Sequence, residues 1–184
     1  MTLVLNKSQK ETIPFELLSG QKRLDVVLAG ENAEVEIVGL VMSSGSDERS
    51  LETYITHAAP NTKSKVNVRA VLRGKSKFDF RGNVRIEKGA KGADAYLRSD
   101  ALLFDDAKMG DDTPALEILE PDVKAGHAAT IGKVDEQMLF YLMTRGLSRS
   151  EAEKLLIQGF INPIKERLRR GPSSFKGGDF NGKD

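Results

Sequence analysis

The sequence predicts a mainly β chain: a short parallel β-helix, or β-solenoid, closed by a small C-terminal helical subdomain. Three observations predict it. Apolar residues alternate with period two from Ile13 to about Val134, a weak repeat of about 30 residues runs through that span, and the spacing turns helical at Asp135.

Alternation puts every second side chain on one face of a strand, and it recurs in short runs such as Val35/Ile37, Val66/Val68, Phe78/Phe80, Val84/Ile86 and Ala93/Ala95/Leu97. Turn signals separate the runs, among them Gly30-Glu31-Asn32, Pro60-Asn61, Arg73-Gly74, Lys88-Gly89 and Met109-Gly110-Asp111-Asp112. The repeat aligns ENAEVEIVGL from Glu31, PNTKSKVNVRAVL from Pro60, KGADAYLRSDALL from Lys91 and PDVKAGHAATIG from Pro121, each a turn followed by a strand. Between these lie second strands, RSLETYIT, KFDFRGNVRI and TPALEILE, so a coil should hold two or three strands. Such recurrence favours a solenoid over a sandwich, which the strand pattern alone leaves open. Small residues at Ala95, Ser99, Ala125 and Ala129 fit a narrow interior. The ends of a stack of this kind are sheet edges that must be capped or paired.

The segment DEQMLFYLMTRG sets Met138, Leu139, Leu142 and Met143 at helical spacing, with Asp135 as N-cap and Gly146 as stop. A second helix opens at Ser148, where Glu151 three residues on makes a capping box, and continues through Ala152, Leu155, Leu156 and Phe160. Pro163 is expected to interrupt it and leave INPIKERLRR as a separate short basic helix. The organisation is therefore a β-helix over 1–134, a helical subdomain over 135–170 and a Gly- and Ser-rich tail over 171–184, expected to be disordered.

Composition narrows the function. The 184 residues suit one medium domain, and 28 basic against 27 acidic side chains leave a formal charge of +1, which points to neither nucleic acid nor an anionic membrane as partner. Without cysteine there are no disulfides, thiolate metal sites or cysteine nucleophile. MTLVLNKSQKETIPF is neither a signal peptide nor a spanning segment, so a cytoplasmic location is expected.

Few side chains can carry chemistry. His127 shares its alternation phase with Val123, Ala125, Ala129 and Ile131, and is expected as a hydrogen-bonded core histidine or one lining an end of the β-helix. His57, at a strand end, is expected to hold a turn carbonyl. Asp105, Asp106, Asp111 and Asp112 lack the ligand spacing of a calcium loop and are read as a solvated turn. Ser99 and Asp100 with His127 lack any nucleophile-elbow pattern, so an enzyme is not expected. The helices carry more apolar positions than an end-cap needs, with Phe140 and Tyr141 beside the stripe, and that surplus suits docking of a partner.

The motifs LLFDDAKMGDDTPALEI, DVKAGHAATIGKVDEQMLFYLMTRG and SEAEKLLIQGF resemble the SufB/SufD family of iron–sulfur cluster assembly proteins, with weaker likeness over about residues 30 to 168. The resemblance implies a right-handed parallel β-helix whose last strands pair with a like chain or a SufB/SufD-type paralogue. It also implies a helical end that docks a SufC-type ATPase, with Phe140, Tyr141, Arg145 and Phe160 matching the docking region. His127 matches a histidine at the interface of the pair, where a nascent cluster is thought to lie. The chain departs from the family by carrying Ser99 and Ala125 where cysteines are expected and Ala128 where a glutamate is. An iron–sulfur cluster is thus expected transiently at most and no cofactor firmly bound. The alternative is a scaffold that holds iron or a cluster through His127 and carboxylates.

Overall fold

Ten strands lead into two helices: β1 (Thr2–Leu5), β2 (Lys10–Leu17), β3 (Gln21–Leu28), β4 (Glu34–Ser43), β5 (Glu48–His57), β6 (Lys63–Leu72), β7 (Lys77–Ile86), β8 (Asp94–Leu103), β9 (Lys108–Ile118), β10 (Lys124–Lys133), α1 (Glu136–Thr144) and α2 (Arg149–Arg170). This is a computed structural model, and it describes residues 2–170. The expected tail over 171–184 lies outside the described residues. Odd strands form one parallel sheet in the order β1-β3-β5-β7-β9, and even strands form a second in the order β10-β8-β6-β4-β2. Each coil therefore gives one strand to each wall, which makes the chain a parallel β-solenoid with two strands per coil. The strands begin earlier than the alternation from Ile13 indicated, at Thr2.

Register explains the repeat. Ile13, Ile37, Val66 and Leu97 stand above one another on the inner face of the even sheet, as Leu28, His57 and Ile86 do on the odd one. Stacking buries the inner residues of each coil on the next, and almost all the core lies between the two walls. Ala95 and Ser99 are buried there as expected, while Ala125 and Ala129, on the last strand, remain partly or fully open. The space is tight enough that a Cβ at Gly39 would lie 2.3 Å from the Phe15 ring. The turns stack too: Asn32, Asn61 and Gly92 all take left-handed backbone, and their amides donate to Pro60, Lys91 and Asp122 of the following coil.

The two outer faces differ, and that decides where the helices lie. On the odd sheet Arg23, Glu52, Arg81 and Asp111 alternate in charge from coil to coil, with contacts of 3.4, 3.5 and 2.7 Å, a solvated wall. The even sheet instead shows Val38, Leu40 and Val71, against which α2 buries Ile161 and Ile164. A polar chain pins the helical end: Glu136 to Arg149 at 2.8 Å, Arg149 to Glu153 at 3.0 Å, and Glu153 to Arg73 on the turn after β6.

Both N-caps form as the sequence indicated. Asp135 accepts from the amides of Gln137 and Met138, and Glu151 accepts from the Ser148 amide at 2.8 Å. Gly146, with φ +96°, follows the Arg145 cap and ends α1. The expected break at Pro163 does not occur, because α2 runs unbroken from Arg149 to Arg170. Proline removes one helical donor and leaves carbonyls of the preceding turn under-bonded. The carbonyl that loses its donor is that of Gly159, and Arg69 of β6 donates to the next one, Phe160, so the sheet holds the turn that the proline weakens.

Candidate functional site: the open end and the helical face

β9 and β10 are the last strands of their sheets, and among the described residues no strand covers them. The β10 register puts His127 on Leu97, Ala129 on Ser99 and Ile131 on Ala101. His127 therefore continues a buried inward column, yet it is itself exposed because among the described residues no further strand stacks on β10. Its phase is as the alternation indicated, but it is not a core histidine; it lines the end of the stack. Ser99 and Ala125 share this inner face, while Ala128 stands beside Arg98 on the outer one. Among the expected site residues, then, His127, Ser99 and Ala125 come together and Ala128 does not join them.

Opposite them, β9 carries a residue the sequence reading placed in a turn. Two residues of β9, Gly110 and Asp111, face the single Asp79 of β7, and this bulge shifts the alternation so that Asp112 joins Pro114, Leu116 and Ile118 on the inner face. Both Asp112 carboxylate oxygens are buried with no hydrogen-bond partner among the described residues. Burial raises the pKa of this carboxyl, and the Ser99 hydroxyl offsets part of the shift without completing a hydrogen bond. The solvated-turn reading holds for Asp105 and Asp106 alone. Asp111 lies within β9 and binds Arg81 at 2.7 Å. The signal for Asp112 was in the sequence, since Pro114, Leu116 and Ile118 fix its phase when counted backwards.

No hydrolytic triad forms. Ser99 faces inward, whereas Asp100 faces outward to Arg98 at 2.9 Å. Nor does any group of three His, Cys, Asp or Glu residues that could hold a metal occur among the described residues.

His57 is the true core histidine. It is fully buried, with Nδ1 2.8 Å from Thr62 Oγ1 and Nε2 2.8 Å from Ser64 Oγ. The Thr62 hydroxyl donates to the Ala59 carbonyl at 3.0 Å, so it accepts from Nδ1–H and the Ser64 hydroxyl donates to Nε2. The ring thus holds the turn through Thr62 rather than directly. Burial pushes its pKa down to about 4, and the imidazole is neutral.

The helical face presents a second exposed surface. Met138, Phe140, Tyr141 and Met143 of α1 are 45%, 69%, 51% and 40% exposed, and Leu155 of α2 is 49% exposed. Leu139 alone on α1 is fully buried, so the surplus of apolar positions is real surface. Arg145 lies 5.3 Å over the Tyr141 ring and donates to its hydroxyl at 3.2 Å. Phe160 stands apart from these three: it is half-buried on the even sheet, with the Arg69 guanidinium 5.2 Å from its ring.

Residues 4–160 match the family described as SUF system FeS cluster assembly, SufBD core domain. The chain belongs to this family. It is 38% identical over 143 residues to an iron-sulfur cluster assembly SufBD family protein of Mycobacterium tuberculosis, covering 78% of this chain and 17% of that protein. A SufBD family protein of Staphylococcus saprophyticus is 31% identical over 169 residues, 91% of this chain and 36% of its own length. The iron-sulfur cluster assembly protein SufB of Bacillus subtilis is 32% identical over 142 residues, 77% of this chain and 30% of its own. The chain thus spans about a third or less of these relatives, which are named as assembly proteins. Among the described residues no helix is long and apolar enough to cross a membrane.

Proposed function

We propose that this chain is a non-catalytic component of iron–sulfur cluster assembly that pairs through its open β-helix end and docks a SufC-type ATPase through its helical end. The observation that carries this reading is the pairing of two unsatisfied surfaces on one SufBD-family body. One is the uncovered inner face of β9 and β10, with Ile118 and Ile131 exposed; the other is the apolar face with Phe140 at its centre. An open sheet edge calls for another strand, and an exposed aromatic face on a small helical unit calls for a protein partner. Phe140, Tyr141 and Arg145 are assigned to ATPase contact. Phe160, half-buried on the even sheet beside Arg69, is not part of that exposed face.

Co-purification with a SufC-type ATPase tests the docking. The wild type is expected to retain the ATPase and Phe140→Glu to lose it with the fold intact by circular dichroism. Absence of binding by wild-type chain removes the reading.

One observation favours the second reading, a scaffold that holds iron or a cluster as cargo. Asp112 brings an unpartnered carboxylate to the same open end as His127, where the chain has no thiolate. With so few ligands in one chain, such a site would be completed by the paired chain. Anaerobic reconstitution with ferrous iron and sulfide separates the readings: iron retained by wild type and lost in His127→Ala supports the scaffold, and none retained by either leaves the docking role alone.

A further inference from the structure

We propose, on the basis of the docking assigned to the helical end, that the ATPase lies directly against the backbone of α2 at Gly159 and donates a hydrogen bond to its carbonyl. Gly159 is a glycine that the fold does not need. Gly39 and Gly82 are required by the Phe15 and Leu97 side chains that fill their Cβ positions, and Gly92 and Gly146 by left-handed backbone. Gly159 has neither reason: it lies within α2, without positive φ, and a Cβ there would meet nothing within 4 Å. Glycine in a helix interior is less stable than alanine, and here no contact within the chain offsets the difference.

Helix geometry gives the bare spot its setting. Leu155, Gly159 and Pro163 follow one another at four-residue spacing and share one side of α2. All three are exposed, Leu155 by 49%. Leu155 already belongs to the apolar surface of the helical end, so the strip extends that surface along α2. Gln158 and Asn162, both exposed, give it a polar rim. Phe160, one residue on and about 100° round the helix, turns instead to the even sheet. The same turn therefore anchors α2 with one residue and bares its backbone with the other.

The carbonyl is the second observation. Pro163 has no N–H, so the Gly159 carbonyl has no helical donor. Arg69 takes the next carbonyl, that of Phe160, from the sheet side, and Pro163 stands at the lip of the cleft between α2 and the even sheet, beside Asn67 and Arg69. An exposed acceptor filled by water in the free chain accepts equally from a partner's N–H or O–H. With no side chain at position 159, that donor can come close to the helix. The occupant is thus an ATPase surface that presents a donor side chain beside an apolar contact for Leu155.

Binding of a SufC-type ATPase to the full chain, measured as Kd by biolayer interferometry alongside urea unfolding of the chain alone, tests this. Gly159→Leu is expected to unfold at the same or a higher urea concentration than wild type and to bind roughly tenfold more weakly, the opposite signs separating contact from fold. Gly159→Ala should move both in the same directions by less, so a folding defect in the larger variant leaves the smaller to decide. Pro163→Ala returns a helical donor to the Gly159 carbonyl and should weaken binding severalfold. Lys165→Leu, at an exposed α2 position off the strip, should bind as wild type does. Binding equal to wild type in both Gly159 variants, or an equal loss in Lys165→Leu, overturns the contact, and unchanged binding in Pro163→Ala removes the hydrogen bond. If wild type binds, Phe140→Glu does not and the Gly159 variants match wild type, this contact falls and the docking stands. No binding by wild type removes both.

Discussion

At His57 two ring nitrogens meet two hydroxyls, and the one on Thr62 is already committed to the Ala59 carbonyl. Protonation would put a second N–H against the Ser64 hydroxyl in a site with no water-exposed face. The folded pKa of about 4 lies below the ordinary value of 6.5, so between these pH values the unfolded chain binds the proton and the folded chain does not. Stability from this group is complete above pH 6.5 and falls with pH, by about 2 kcal/mol at pH 5 and by about 3 in all. Urea unfolding at pH 7 and pH 5 should show a smaller loss in His57→Gln than in wild type; equal losses would sink the argument. At Gly82 the constraint is space. A Cβ would stand 2.2 Å from Leu97 Cδ1, directly under the His127 column, so Gly82→Val should cost about 2–3 kcal/mol in the same measurement. Neither effect was readable from residue type, since histidine and glycine each have many roles. What decides theirs is the neighbour brought in by register.

Elements were more legible than their partners. The period-two runs and the turn residues at Asn32, Asn61 and Gly92 marked the coils, because stacking requires each coil to repeat the same corner. Proline at position 163 misled because its effect on a helix depends on what holds the weakened turn, and here a strand arginine distant in sequence bonds the Phe160 carbonyl in it. The substitution Pro163→Ala restores one helical donor at an exposed position and should stabilise the protein by about 1–2 kcal/mol, read as a higher Tm with unchanged or greater helicity. A lower Tm would mean that the proline ring itself is a packing element of the cleft. The bulge in β9 was hidden for a similar reason. It is defined by two residues opposing one on a neighbouring strand, and no single strand's sequence states that.

The whole molecule is a stack whose end strands, β1 and β2 at one end and β9 and β10 at the other, are sheet edges among the described residues, and its charged odd wall, helix-covered even wall and last coil give each face a different task. Interior columns make the stack stable in proportion to the coils they cross, so the last coil has the least to hold it and the most to gain from a partner. On its inner face Ile118 is 45% and Ile131 51% exposed, beside the unpartnered Asp112 carboxylate and His127. A chain laid on this end would bury those isoleucines and continue both sheets. Ile131→Arg places a charge where the pair would exclude water, yet costs the single chain little, since half of that side chain is already in solvent. Association with a second copy, or with a SufB/SufD-type paralogue where the paralogue is the preferred partner, should weaken at least tenfold by sedimentation velocity, while the urea midpoint of the isolated chain stays within error of wild type. If the variant associates as tightly as wild type, the open end is not the pairing surface, and the exposed β10 edge must be satisfied in some other way. Asp112→Asn adds an independent check at the same place: removing a charge that pairing must desolvate should tighten association at neutral pH and flatten its pH dependence, the direction set by a carboxyl whose pKa burial already raises.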